Sequence, residues 1–292
     1  MKITILKPTG YCFGVMEAIK TAKRAKKEHP DQDVFVIGML VHNEDVINEL
    51  KDLGITTLYI KGKSYKELLS EVKDNSIVIF SAHGHDEEMD EIAKNKNLIV
   101  YDAICPRVKS NLDLIKNELV KNKTVIYIGQ EKHPETIGAL SISKDIILYD
   151  DNLLDNNQIS TNADIFVINQ TTLNYLDLSD TFEKIKAKFP NASILGEVCS
   201  AARLRQQAIV NLDPKVDVLL VVGSIHSSNT KKLLEVAKSI HPELSSHLIS
   251  DLEDVKKLDL QNKNRIAIAS GASTPLESID AVYNYLNDKY NK

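Results

Sequence analysis

The sequence predicts an α/β fold built three times over, each copy a small lobe around a parallel sheet. Two observations carry this. Cysteine occurs at Cys12, Cys105 and Cys199, with gaps of 93 and 94 residues, and a further 93 residues reach the last position. After each cysteine comes a helical pattern and then an unbroken apolar run that ends in Gly. The runs are Val34-Phe35-Val36-Ile37-Gly38, Val125-Ile126-Tyr127-Ile128-Gly129 and Val218-Leu219-Leu220-Val221-Val222-Gly223. A fixed period is the mark of a repeated architecture. Continuous apolar runs of this length suit strands buried on both faces of a parallel sheet.

The elements follow in order. After Cys12, Val15, Ala18, Ile19, Ala22 and Ala25 recur at helical spacing, and Pro30 lies beyond the end. After Cys105, Pro106 fits a first helical position, and Val108, Leu112, Ile115 and Leu119 mark one face. After Cys199, a run through Leu204, Ala208 and Leu212 stops at Asp213-Pro214. Later in each copy a second apolar run leads into small or polar groups. Ile77–Phe80 meets Ser81-Ala82-His83-Gly84, Ile165–Ile168 meets Asn169-Gln170-Thr171-Thr172, and Ile266–Ala269 meets Ser270-Gly271-Ala272-Ser273. The predicted lobes are 1–101, 102–196 and 197–292, with residues 1–10 a candidate to pair with the third. A pseudo-three-fold arrangement is expected.

The strand ends are where chemistry would sit. Four residues past each Gly stands a polar residue: His42, His133 and Ser227. In open α/β sheets, ligands bind beyond the carboxyl ends of the strands. Three copies facing one axis would bring a thiol and two polar groups from each lobe together. A purely structural duplication would not call for polar residues at every strand end.

Composition narrows the classes. The chain has 292 residues, 43% hydrophobic and 26% charged, as a packed soluble fold requires. The net charge is -5, Trp is absent and aromatics make up 5%, which argues against nucleic-acid binding. The basic run from Lys20 to Lys27 reads as a solvated helix face. No apolar stretch is long enough to span a membrane, and the N-terminus lacks the apolar core of a secretory signal. A cytoplasmic protein without membrane partners is expected. Gly62-Lys63-Ser64 resembles the end of a P-loop, but Thr57 stands where the leading Gly belongs.

Three cysteines in such a chain argue against a disulfide framework. They could hold a zinc ion or an iron–sulfur cluster. Close Cys-x-x-Cys pairs, usual in structural zinc sites, are absent. A cubane normally takes four cysteines; with three, one iron lacks a protein ligand and can act as a Lewis acid. A cysteine at a helix start sees a positive dipole end that favours thiolate. His42, His83, Ser227, Ser228, Asn229 and Ser273 are small donors suited to an anion, and Ser227-Ser228-Asn229 precedes a helical run whose start could cradle phosphate. Glu135 could relay a proton, and Thr171 and Thr172 could assist it.

These motifs resemble one family. Gly10-Tyr11-Cys12-Phe13-Gly14-Val15, Val41-His42-Asn43, Ser81-Ala82-His83-Gly84, Asp102-Ala103-Ile104-Cys105-Pro106, His133-Pro134-Glu135, Gln170-Thr171-Thr172-Leu173, Val222-Gly223-Ser224 with Ser227-Ser228-Asn229, and Gly271-Ala272-Ser273 fall in order over nearly the whole chain. Together they resemble the 4-hydroxy-3-methylbut-2-enyl diphosphate reductase family of the non-mevalonate isoprenoid pathway. The resemblance implies three α/β lobes around one central [4Fe–4S] cluster held by Cys12, Cys105 and Cys199. It implies reductive removal of an allylic hydroxyl to give isopentenyl and dimethylallyl diphosphate. His42, His83, Ser227, Asn229 and Ser273 would hold the diphosphate, with Ser228 close by. Glu135 would deliver protons, Thr171 would assist near the hydroxyl with Thr172 contacting substrate, and His133 would line the pocket. Electrons would come from ferredoxin or flavodoxin. The chain departs from the pattern at Glu17, Ile104, Ala202 and Leu204, where Arg, Thr, Thr and Asn are common. A quinolinate synthase-like enzyme, also three-lobed with three cysteines, is the rival, and the Ser-Ser-Asn, His-Pro-Glu and Gln-Thr-Thr set favours the reductase. A non-enzymatic iron–sulfur sensor is a third reading, and it would need no Glu135.

Overall fold

The computed structural model describes residues 1–155, 159–160 and 162–290. Residues 156–158 and 161 of the predicted second lobe, and 291–292 at the end of the predicted third, lie outside the described residues. The chain opens with β1 (Lys2–Ile5) and α1 (Phe13–Glu28). It continues through β2 (Val34–Ile37), α2 (Glu44–Asp52), β3 (Ile55–Leu58), α3 (Tyr65–Glu71), β4 (Ile77–Phe80), α4 (Glu88–Asn95) and β5 (Ile99–Asp102). Then come α5 (Pro106–Val120), β6 (Thr124–Ile128), α6 (Pro134–Ser141), β7 (Ile147–Leu148), α7 (Asn152–Asp155), β8 (Ile165–Asn169), α8 (Tyr175–Lys188) and β9 (Ser193–Ile194). The last part holds α9 (Ser200–Val210), β10 (Val218–Val222), α10 (Ser228–Ile240), β11 (Ser245–Ile249), α11 (Leu252–Lys256), β12 (Arg265–Ser270) and α12 (Leu276–Tyr290).

The strands form three four-stranded sheets, β3-β2-β4-β5, β7-β6-β8-β9 and β1-β12-β10-β11. Every pairing is parallel. The three-lobed α/β class expected from the repeat is therefore present. The central pair of each sheet is the pair of apolar runs seen in the sequence. Their residues are buried because helices cover both faces. In the third sheet, Leu220, Val222, Ile266 and Ile268 pack with Ile279, Val282 and Leu286 of α12. Leu219, Val221, Ala267 and Ala269 pack on the other face with Ile209, Leu233 and Val236 of α9 and α10. Alternate residues of a strand point to opposite faces, so both sets must be apolar. The edge strands differ: β1, β5, β7 and β9 have no buried residue.

Two compact units divide the chain. One comprises Met1–Phe13, His42–Asp45 and Cys199–Lys292 and carries the sheet with β1; the other comprises Gly14–Val41 and Val46–Val198 and carries the other two sheets. The P-loop look-alike is a helix start. Ser64 caps α3, its hydroxyl accepting from the Glu67 N–H while Glu67 accepts from the Ser64 N–H. On α1, Lys20, Lys23, Arg24 and Lys27 are exposed opposite the buried Ala18, Ala22 and Ala25. Among the described residues, no helix is long and apolar enough to cross a membrane.

Candidate active site

In each sheet the chain order reverses between the two central strands, β2 and β4, β6 and β8, or β10 and β12. Register keeps their carboxyl ends level: Ile37 pairs with Phe80, Ile128 with Asn169 and Val222 with Ser270. Such a reversal leaves a crevice beyond the strand ends. The predicted polar residues stand between these ends and the first turn of the helix that follows, whereas Cys12, Cys105 and Cys199 follow the edge strands β1, β5 and β9.

In the unit built on β10 and β12, Cys12, His42, Cys199, Ser227, Ser228, Asn229 and Ser273 occur together. Ser227 caps α10 through an Oγ that accepts from the Thr230 N–H at 3.2 Å. Asn229 is 5% exposed; its Oδ1 accepts from the Ala272 N–H at 3.0 Å, and its buried Nδ2 has no partner. A buried amide N–H without an acceptor is costly, and an anion would answer it. Ser273 donates from Oγ to the His42 carbonyl at 3.3 Å. The His42 imidazole is pushed down to about 4 by burial first, then by His226 and Lys231, so it is neutral at pH 7. The turns are tight: a Cβ at Gly271 would lie 2.2 Å from Thr230 Oγ1. No larger residue brings β12 this close to the first turn of α10.

The two cysteines of this unit lie at helix starts. Cys199 is the N-cap of α9, and Cys12 immediately precedes α1. The Cys12 N–H donates to the Ala272 carbonyl at 2.9 Å. Arg205, buried on α9, donates to the carbonyls of Ala201 and Gly10 at 2.8 and 2.7 Å, and both thiol groups act on its charge. On the same helix Ala202 is buried and Leu204 is exposed, and Glu17 of α1 pairs with Lys20 at 2.7 Å.

In the unit carrying the other two sheets, His83, Cys105, His133, Glu135, Thr171 and Thr172 occur together. Pro134 opens α6, and His133 caps it through Nδ1, which accepts from the Glu135 N–H at 3.2 Å. Glu135 is 2% exposed. Its carboxyl accepts from the Thr171 N–H at 2.8 Å and the Thr171 hydroxyl at 2.9 Å. Burial pushes this carboxyl up to about 7, against the lowering effect of those two bonds and of Tyr127. The Thr172 hydroxyl accepts from Gln170 Nε2 at 2.9 Å, and Gln170 Oε1 accepts from the Gln130 N–H at 3.0 Å. The His83 ring meets the His133 ring edge-on, with centroids 5.8 Å apart. Cys105 occupies the N-cap position of α5, and its N–H donates to the Ala82 carbonyl at 2.9 Å. A Cβ at Gly14 would lie 2.6 Å from Cys105 Sγ.

These observations fit an iron–sulfur group. All three cysteines are free of disulfides and partly accessible, and each begins or immediately precedes a helix. Among the described residues, no three His, Cys, Asp or Glu side chains gather at single-ion spacing.

Three participants are not obvious in the sequence. Tyr127 lies inside an apolar strand run, yet its hydroxyl reaches the Glu135 carboxyl and the Thr136 hydroxyl without closing an aligned hydrogen bond. Gln170 joins the β6 and β8 loops through its amide. Arg205 stands on the buried face of α9 with Ala202, Gln206 and Ile209. A charge at that spacing on a core-facing stripe is the signal that could have found it.

The comparisons agree with one another. The sequence model of the LytB protein family matches residues 3–287. A Malacoplasma penetrans protein named 4-hydroxy-3-methylbut-2-enyl diphosphate reductase is 40% identical, over 99% of this chain and 98% of its own. One of the same name from Symbiobacterium thermophilum is 34% identical, over 100% and 98%. The solved structure of E-1-hydroxy-2-methyl-but-2-enyl-4-diphosphate reductase from Plasmodium falciparum superposes with a TM-score of 0.88 at 32% identity, covering 98% of this chain and 88% of that one. A second solved structure, (E)-4-hydroxy-3-methyl-but-2-enyl diphosphate reductase, described as the terminal enzyme of the non-mevalonate pathway, gives 0.65 at 26% identity, covering 99% and 100%.

Proposed function

This chain belongs to the LytB protein family, and from that premise we propose how its residues carry out the family's reaction. The chain is a reductase that converts 4-hydroxy-3-methylbut-2-enyl diphosphate to isopentenyl and dimethylallyl diphosphate, the last step of the non-mevalonate route. The allylic C–O bond breaks, two electrons and two protons enter, and water leaves. The observation that carries the mechanistic reading is Glu135, a fully buried carboxyl that holds its proton near neutral pH beside Thr171.

Cys12, Cys105 and Cys199 would hold one [4Fe–4S] cluster, which when bound supplies electrons and a Lewis-acid iron without a protein ligand. Asn229 offers its orphan N–H to the diphosphate, and Ser227 and Ser228 place the first turn of α10 against it. His42, held neutral, donates a hydrogen bond and adds no second charge. Ser273 and His83 complete the anion contacts. The Thr171 hydroxyl and Glu135 share a proton that can pass to the substrate oxygen, and an acid with a pKa near the working pH suits that transfer. Thr172, held by Gln170, and His133, which caps α6, line the pocket. Ferredoxin or flavodoxin would supply the electrons, and the reaction would take place in the cytoplasm. Nucleic acid and membrane are not partners in this reading.

Anaerobic reduction of the diphosphate substrate by the purified protein, followed by separation of the two products, tests the reading. Cys105→Ser is expected to lose iron and acid-labile sulfide together, with turnover. Full iron in that variant would refute the ligand assignment, and quinolinate formation in place of diphosphate reduction would refute the family's reaction here.

A further inference from the structure

Arg205 is a buried charge that pairs with no carboxylate among the described residues. Its side chain is 4% exposed. Nη1 and Nη2 donate to neutral carbonyls, Nε has no partner, and the ionisable groups that act on it are Cys12 and Cys199. A guanidinium does not give up its proton inside a protein. Burying one without a counter-charge is strongly unfavourable. An anionic group held by Cys12 and Cys199 would remove that cost.

The placement is specific. The two acceptor carbonyls belong to Gly10, two residues before Cys12, and Ala201, two residues after Cys199. One planar fork therefore ties together the two segments that carry these sulfurs. Gly10 turns its carbonyl toward the fork from a left-handed conformation, φ +73°, and a Cβ there would lie 2.9 Å from Leu276 Cδ2. The remaining fixed point is the bond from the Cys12 N–H to Ala272.

We infer that Arg205 is the built-in counter-charge of the Cys12–Cys199 pair, a positioning residue that raises the reduction potential of the cluster these cysteines hold. The inference rests on the proposed reading of both cysteines as ligands. An electron added to the cluster adds negative charge beside a fixed cation in a poorly screened site, so reduction becomes easier.

The test is a redox titration of anaerobically reconstituted holoprotein, followed by visible absorbance and electron paramagnetic resonance. Arg205→Gln keeps a donor for the Gly10 carbonyl and removes the charge. Its equilibrium constant for one-electron reduction is expected to fall at least about tenfold, a shift of about 59 mV to more negative potential. Arg205→Lys, which keeps the charge, is expected to stay within roughly threefold of the parent. An Arg205→Gln protein with full iron and an unmoved potential overturns the inference. So does a Lys variant as low in potential as the Gln variant, which would assign the effect to the fork. If Arg205→Gln holds no iron, Arg205→Lys decides: full iron supports the charge role, and loss from both overturns it. Full iron and sulfide in both Cys12→Ser and Cys199→Ser would instead sink the ligand reading, whatever Arg205 does.

Discussion

Beyond β10 and β12 the polar side chains include Ser227, Asn229 and Ser273, whereas beyond β6 and β8 they include His133, Glu135, Thr171 and Thr172. The two sheets share the order of their three consecutive strands and the same level ends, with β1 at the edge of one where β9 stands in the other. In the first region the groups set against the anion are hydroxyls, an amide and His42, whose imidazole burial holds neutral at pH 7. In the second, burial brings a carboxyl to about 7. In the proposed reading, one scaffold thus supports a place for holding an anion and a place for moving a proton. The difference lies in a few side chains at the switch points and in how dry they are.

The sharpest way to break this contrast is Glu135→Gln. Turnover is expected to fall by about 10²–10⁴, the usual worth of a general acid, with iron content and KM little changed. Unchanged turnover in a cluster-replete variant would remove the proton-moving role. In the parent, kcat should decline as pH rises through about 7, where Glu135 loses its proton, and the variant should lack that limb. Asn229→Ala tests the other region. A hydrogen bond to a charged group is worth roughly 1.5–3 kcal/mol, so KM should rise at least tenfold while kcat holds. A fall in kcat alone would place Asn229 in the chemistry instead.

Stability gives a third separation. Glu135 binds its proton more tightly in the folded chain, with a pKa raised from 4.5 to about 7. Below 4.5 both states are protonated and its burial costs nothing from ionisation. As pH rises from 4.5 to 7 that stability is lost. Glu135→Gln should therefore gain on the parent by roughly 2 kcal/mol between pH 5.5 and 8, read from urea midpoints of anaerobic holoprotein. A constant difference would mean that the carboxyl is not held neutral. The smallest expected effect belongs to Tyr127→Phe. Removing the hydroxyl beside Glu135 should shift the acid limb upward by less than about one pH unit and slow turnover roughly threefold. An unmoved limb would separate Tyr127 from the proton site.

The central strands were legible because burial on both faces forces unbroken apolar runs. The edge strands were not: β7 and β9 are two residues each, and half-exposed strands carry no such pattern. The cysteines and strand-end groups could be read because they recur at one spacing. The assignment of His42–Asp45 to the same compact unit as Ser273 could not, since it arises where the chain leaves β2 and is fixed by tertiary contacts such as Ser278 with Asp45. Tyr127 was hidden because a tyrosine in a buried strand looks like core until its hydroxyl is located. Arg205 was hidden because a helix surface commonly carries arginine, and only the stripe it shares with Ala202 and Ile209 distinguishes it.

Gly14 places a limit on how the three copies can be related now. The second residue after Cys12 is Gly14, whereas Arg107 and Ala201 follow Cys105 and Cys199 at the same offset. Only a hydrogen fits there, because a Cβ would stand 2.6 Å from the sulfur of the next copy's cysteine. Grafting either of the other two helix starts into the first position would drive a side chain into that sulfur. Whatever their origin, the three copies have ceased to be exchangeable parts, and one of them is carved to admit its neighbour.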